Sequence, residues 1–411
     1  MTSASVIRRV GIVFSGGPAP AANAVISACA LSFLDQGVEV IGFLDGYAHI
    51  QSFQRGTPLV EGRDYKRLGV ADVSGIRNRK SVVLRTSHAN PALGIQNEAD
   101  LVDPAKNGAV TSILAAAEEL GLDGLVSVGG DETLCTANHL HRYQQLVPGT
   151  RPLAVVHLPK TIDNDYNGID WTFGFVSAAD FAAHEIRNLG ADAQSTCTWY
   201  VLELMGRQAG WLTYAAGIAG EATRMLSVED VDGELDLDAY ADEMAALMLQ
   251  REAVGKRYGI VCVAEGLASL LPGDLPSVNR RGYSTLGAAH VADRLAQATE
   301  VAYERACGQA VHVRSKQIGY EARCADPVAF DILLGSQLGV GAYRALAELG
   351  KSGHMVSVRD QFELIYVPFS ELVDPVTLRT QVRLISRDSD FYRLARALEY
   401  HGGERDRRAS D

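Results

Sequence analysis

The residues best suited to chemistry lie in one short stretch, Leu158-Pro159-Lys160-Thr161-Ile162-Asp163-Asn164-Asp165-Tyr166. A fixed cation suits an anionic substrate, and carboxylates can take a proton or hold a metal; these are the parts that phosphoryl transfer asks for. Read alone, the same stretch is equally a polar loop with an Asx turn, because Asp and Asn are ordinary turn residues. Two other stretches change that balance. Gly129-Gly130-Asp131-Glu132-Thr133 offers two more acids, which are also favourable as simple caps at a helix N-terminus. Ser15-Gly16-Gly17-Pro18-Ala19-Pro20 offers glycines whose backbone N–H groups can approach an anion.

All three stretches follow apolar runs that read as buried strands. Val10–Phe14 precedes the first, Leu125–Val128 the second and Leu153–Leu158, ended by Pro159, the third. A helix over about Ala22–Gln36, closed by Gly37, and a strand over Val38–Leu44 complete a βαβ unit. Another helix carries Val110, Ile113, Leu114, Ala117 and Leu120 on one face and stops at Gly121. In an open parallel sheet, ligands bind outside the carboxyl ends of the strands, so three such loops on one edge argue more than any one alone. No P-loop or dinucleotide fingerprint is present. The alternation resumes after Phe173. The pattern predicts a helix over about Ala178–Leu189, a strand Thr198–Leu204 leading into Met205-Gly206-Arg207, and an acidic helical stretch Glu229–Arg251. A strand Gly259–Ala264 then ends in Glu265, Leu271–Tyr283 reads as a loop, and a helix covers about Gly287–Ala306. Residues 51–108 read as irregular, and the polar end from His401 as a frayed tail.

Composition sets the outer limits. A chain of 411 residues can hold two domains, and 47% hydrophobic with 21% charged residues is ordinary globular composition. A net charge of −12 argues against a nucleic-acid surface, so cations for phosphate must be gathered locally. Six scattered cysteines without a C-x-x-C pair read as reduced thiols. The start of the first strand near Val10 and the lack of a membrane-length apolar run lead us to expect a soluble, cytoplasmic protein with no membrane partner.

Taken together and in order, Ser15-Gly16-Gly17-x-Ala19-Pro20, Gly129-Gly130-Asp131, Pro159-x-Thr161-Ile162-Asp163-Asn164-Asp165, Met205-Gly206-Arg207, Ala264-Glu265 and Gly319-Tyr320-x-x-Arg323 resemble the phosphofructokinase family over about residues 10–340. The resemblance implies an α/β fold of two similar Rossmann-like domains with mainly parallel sheets. A donor-binding domain would take residues 1–173 and about 322–371, and a sugar-phosphate domain 174–321 and about 372–400. It implies that Asp163 takes the proton of a sugar 1-hydroxyl, that Asp131 holds Mg²⁺, and that Asp165 supports the same cluster. Thr161 and Arg207 would serve the transferred group, with Gly16 and Gly17 presenting amides to the donor. Met205, Gly206 and Glu265 would contact the sugar ring. Arg314 and Arg323 would together clamp the sugar's 6-phosphate, Tyr320 could donate to a phosphate, and Arg85 would be a further phosphate ligand. A homodimer or homotetramer is implied as well.

The chain also departs from the family. Pro18 and Ala21 replace an acid and a glycine, Tyr320 replaces a common His, and Thr198 and His88 stand at arginine positions. His157 reads as a packed core residue. Glu132 and Lys160 stand where ATP-using bacterial members have glycines, a pairing that resembles the diphosphate-dependent members. The expected reaction is therefore transfer from inorganic diphosphate to fructose 6-phosphate. ATP as donor, another acceptor such as sedoheptulose 7-phosphate, an unphosphorylated sugar or a nucleoside, and a catalytically silent regulatory subunit are the alternatives.

Overall fold

The computed structural model describes residues 7–273 and 286–400. In chain order the strands are β1 (Arg9–Phe14), β2 (Glu39–Phe43), β3 (Tyr65–Leu68), β4 (Gly124–Gly129), β5 (Ala154–Pro159), β6 (Trp199–Leu204), β7 (Arg224–Leu226), β8 (Gly259–Ala264), β9 (Val313–Ile318), β10 (His354–Arg359) and β11 (Glu363–Pro368). The longer helices are α1 (Ala22–Leu34), α2 (Gly108–Glu119), α3 (Asp131–Leu146), α4 (Phe175–Thr196), α5 (Trp211–Ala219), α6 (Leu237–Ala253), α7 (Val291–Cys307), α8 (Ala329–Tyr343) and α9 (Asp390–Leu398). The chain divides into two compact units, Met1–Ser177 with Arg323–Val382, and Ala178–Ala322 with Arg383–Asp411.

The first unit is built on a sheet in the order β11-β10-β5-β4-β1-β2-β3. Its five inner strands are parallel, and antiparallel β3 and β11 close the two edges. Strand β4 is buried along its whole length, as is β1 apart from Arg9. That is why both read as unbroken apolar runs rather than as alternating patterns. The chain leaves β1 for β2 on one side and returns as β4 on the other, so the strand order reverses at β1. A crevice opens at such a point, beyond the carboxyl ends of the strands. Residues 373–382 complete this unit through short bridges between Tyr166 and Val382 and between Val373 and Thr380.

The second unit carries a four-stranded, wholly parallel sheet in the order β7-β8-β6-β9. Alternate residues of β6 serve opposite faces. Val201 packs with Met244 and Met248 of α6 and Leu295 of α7. Tyr200, Leu202 and Leu204 pack with Ile186 of α4, Tyr214 of α5 and Ala395 of α9. Helices therefore cover both faces, and the architecture is α/β in each unit.

Several boundaries differ from those expected. Helix α4 runs from Phe175 to Thr196, well past Leu189. Gly190 costs a helix only about 1 kcal/mol, less than the packing of its buried face returns. The acidic stretch after Glu229 does not start a helix; Val228–Asp230 forms one 3₁₀ turn, and α6 begins only after Asp236, whose side chain accepts from Ala239 N at 3.0 Å. Of the expected loop Leu271–Tyr283, residues 271–273 are irregular and the rest lies outside the described residues, as does the expected tail from His401. All six cysteines are free, with Cys29 and Cys262 buried and Cys197 exposed. No helix among the described residues is long and apolar enough to cross a membrane.

Candidate active site

In the first unit the ends of β1, β4 and β5 supply the three loops singled out above. The β4 end is shaped by a close approach: a Cβ on Gly129 would meet Thr133 Oγ1 at 2.3 Å, so only glycine lets α3 turn so tightly off the strand. Gly130 precedes the first turn of α3, where Asp131 and Glu132 sit at the helix's positive end. Asp131 is partly buried, whereas Glu132 is exposed.

The β5 end is held by side-chain bonds rather than by regular structure. Asn164 adopts φ 53°, a left-handed conformation that Asn tolerates better than most residues. Its Oδ1 accepts from Thr172 N at 2.9 Å, and its Nδ2 donates to Asp170 O at 3.2 Å. Thr172 Oγ1 in turn donates to Thr161 O at 2.8 Å. Thr161 Oγ1 accepts from Asp163 N at 3.0 Å, which leaves the Asp163 carboxylate partly exposed on the loop.

Lys160 joins this loop to the glycine turn after β1. Its side chain is only 6% exposed, and Nζ donates to Gly17 O at 2.6 Å. Burial, and next the nearby Arg323 guanidinium, push its pKa down to about 8 against the pull of Asp163, Asp131 and Asp165. Arg323 packs on the same turn, since a Cβ on Gly17 would lie 2.5 Å from its Nη1. Two cations thus flank Gly16 and Gly17, in an acidic protein. Asp165 is buried, and its carboxyl is pushed well above the usual range by that burial and by the charges of Asp131 and Asp163.

A divalent cation is the natural answer to that crowding. No group of three or more His, Cys, Asp or Glu side chains among the described residues forms a ready-made metal cage. Magnesium needs none: it binds through one or two carboxylates, waters and substrate phosphates, and it prefers oxygen donors. Asp131, with Asp163 and Asp165, offers only such donors, and Asp165 is close enough to feel the charges of the other two. The residues present fit Mg²⁺.

In the second unit the ends of β6 and β8 meet. Glu265 Oε1 accepts from Gly206 N at 3.3 Å, and Gly266 N donates to Gly206 O at 3.1 Å. Met205 is buried, and Arg207 is exposed. Tyr320 follows β9 and is 74% exposed. Arg314, on β9, donates to Tyr200 Oη at 2.8 Å and to Asp192 Oδ2 at 3.2 Å. The two arginines expected to clamp one phosphate therefore belong to different units, Arg323 against the glycine turn and Arg314 against Tyr200 and Asp192. Arg85, the remaining expected phosphate ligand, grips Asp45 with two parallel bonds of 2.7 Å and holds that carboxyl below its usual range.

Sequence reasoning missed the buried support of the first unit's loops. His157, read as a core residue, is fully buried but not merely packed: its two ring nitrogens face Ser127 and Tyr166. Its place on an otherwise apolar strand was the available signal.

The family model described as Phosphofructokinase matches residues 9–346. A pyrophosphate--fructose 6-phosphate 1-phosphotransferase of Thermotoga maritima is 34% identical over 404 residues, covering 94% of this chain and 89% of that protein. An ATP-dependent 6-phosphofructokinase of Chloroflexus aurantiacus is 33% identical over 372 residues, covering 90% and 92%. Among solved structures, a pyrophosphate-dependent phosphofructokinase from Nitrosospira multiformis aligns with TM-score 0.70 at 16% identity, covering 96% of this chain and 93% of that one, a likeness of fold.

Proposed function

The chain belongs to the phosphofructokinase family, and from that premise we propose that it moves a phosphoryl group from inorganic diphosphate to the 1-hydroxyl of fructose 6-phosphate, reversibly. The observation that carries the choice of donor is Lys160. Its ammonium lies against Gly17 O at 2.6 Å, and a Cβ on Gly16 would come within 3.2 Å of it, so a buried cation stands at the glycine turn. ATP-using bacterial members have glycine there, leaving room for an α-phosphate and nucleoside. Glu132, at the start of α3, adds bulk and negative charge where such members again have glycine. Diphosphate lacks a nucleotide's other anchors and gains most from a fixed point charge.

The chain's own residues then divide the work. Lys160, Arg323 and the amides around Gly16 and Gly17 hold the donor. Asp163 takes the proton of the sugar 1-hydroxyl as its oxygen attacks phosphorus, with Thr161 orienting that loop. Arg207 offsets charge on the transferred group, and Met205, Gly206 and Glu265 face the sugar. Tyr320 and Arg314 serve the sugar's 6-phosphate. Asp131, supported by Asp165, would hold Mg²⁺, which when bound offsets the charge of the donor phosphates. The assembly expected with this reading is a homodimer or homotetramer in the cytoplasm.

A second reading, ATP as donor, is favoured by ATP-dependent relatives at 33% and 30% identity. One assay separates the two. With Mg²⁺ and fructose 6-phosphate, diphosphate should support rapid turnover and ATP little, and orthophosphate should drive the reverse reaction. Efficient use of ATP with none of diphosphate would overturn the proposal. Sedoheptulose 7-phosphate and fructose belong in the same screen as acceptors.

A further inference from the structure

A file of buried polar groups that the proposed reaction does not use runs beneath the loops of the first unit. Tyr47 Oη lies 3.0 Å from Ser127 Oγ. Ser127 Oγ is 3.4 Å from His157 Nδ1, and Nε2 of the same ring is 3.2 Å from Tyr166 Oη. Tyr166 Oη donates to Gly129 O at 3.1 Å, and that carbonyl also accepts from Lys160 N at 2.9 Å. All four side chains are 2% exposed or less.

Donor and acceptor counting gives the file a direction. Burial pushes the His157 pKa down to about 3, so the ring is neutral, with one donor nitrogen and one acceptor. Tyr166 has a single proton, and it goes to Gly129 O. His157 must then donate from Nε2 to Tyr166 and accept at Nδ1 from Ser127, whose oxygen accepts from Tyr47. Every hydroxyl and ring proton points the same way, and no buried donor is left over. The opposite tautomer would turn Tyr166 away from Gly129. The end point matters, because Gly129 is followed by Gly130 and Asp131, while its carbonyl is bonded to the first residue of the Lys160–Asp165 loop.

We propose that His157 and Tyr166 are positioning residues: the oriented chain Tyr47–Ser127–His157–Tyr166 fixes the Gly129 carbonyl and so keeps the turn bearing Asp131 in register with the loop bearing Lys160 and Asp163. The kinetic part of its test rests on the phosphotransfer reading, and the spectroscopic part does not. Tyr166→Phe removes the hydroxyl that reaches Gly129, and His157→Leu removes both ring nitrogens. Each should lower kcat about tenfold or more, since small misplacements of reacting groups are costly. The KM for the sugar phosphate should stay within about twofold. His157→Gln, whose amide replaces the Nε2 donor, should keep most of the activity although it is no better packed than leucine. Wild-type kcat in both Tyr166→Phe and His157→Leu would overturn the proposal, as would an equal loss in His157→Gln and His157→Leu. Imidazole ¹⁵N–¹H spectra of histidine-labelled protein read the tautomer directly, with His157 assigned by its loss in His157→Gln. A neutral ring protonated at Nε2 is expected from about pH 6 to 8, the range in which free histidine titrates. A ring protonated at Nδ1, or one that gains a proton in that range, would overturn the chain even if no phosphoryl donor were ever turned over.

Discussion

At the scale of single residues, Lys160 concentrates the argument, and pH is the way to question it. Its pKa falls to about 8 in the folded chain, first because it is buried and next because of Arg323, against about 10.4 for a free lysine. The unfolded chain therefore holds this proton longer than the folded one, and stability should rise as pH climbs from about 8 to 10.4. Donor binding should move the other way. An anion needs the ammonium form, so kcat/KM for the donor, which reports the free protein, should fall about tenfold per pH unit above pH 8. Lys160→Met should abolish this alkaline limb and lower donor affinity throughout. A limb that survives the substitution would assign it to another group. The sequence already showed that a lysine and two acids share this loop. It could not show that the lysine reaches back 2.6 Å from Gly17 O, because that contact joins residues 143 apart in the chain.

At the scale of elements, the loop after β5 is a piece of irregular backbone kept in shape by Asn164. Its left-handed φ of 53° costs a residue without such a side chain about 1 kcal/mol or more. Its side chain accepts from the buried N–H of Thr172, which is left unsatisfied if the amide is removed, at about 1–3 kcal/mol, and it also donates to the partly buried Asp170 O. Asn164→Ala should therefore cost about 2–4 kcal/mol in urea unfolding of the whole chain, combining these strain and bonding losses. Asn164→Gly should recover part of it, because glycine accepts the backbone conformation. Equal losses in the two variants would show that the left-handed conformation carries no cost here. Sequence reading found the strands β1, β4, β5, β6 and β8 because each is a compact apolar run that ends on glycine or proline or meets a glycine within two residues. It left residues 51–108 as irregular, although β3 lies there, because Tyr65-Lys66-Arg67-Leu68 is an edge strand with only its two ends buried. The hairpin of β10 and β11 was missed for a related reason: β11 is the other edge of the same sheet, and none of its residues is fully buried.

At the scale of the whole molecule, the chain passes three times from one unit to the other, at Ser177, Ala322 and Val382. Periodicity cannot reveal that a final segment belongs with strands almost two hundred residues earlier; only the partners of its polar groups do. The returning segment after Val382 completes the second unit in several places. Phe391 stacks on Trp211 at 5.2 Å between ring centres, while Trp211 Nε1 donates to Arg383 O at 2.9 Å. Glu229, buried near the start of α5, accepts from Ile385 N at 3.1 Å, and its backbone carbonyl accepts from Arg387 Nε. Tyr392 Oη donates to Asp230 at 2.7 Å, and the buried Glu399 accepts from Met225 N at 2.6 Å on β7. Removing everything after Val382 would uncover an aromatic side chain and leave the buried N–H of Met225 without its acceptor. Each such orphaned group costs about 1–3 kcal/mol. Against a typical total stability of about 5–15 kcal/mol, several at once should unfold the second unit. The first unit, whose sheet takes nothing from that segment, should stay folded. Hydrogen exchange on the truncated chain reads the two separately. Amides of β6, β7, β8 and β9 should lose their protection while those of β1, β4 and β5 keep it. Unchanged protection in β6 and β8 would mean that the second unit stands without its returning segment.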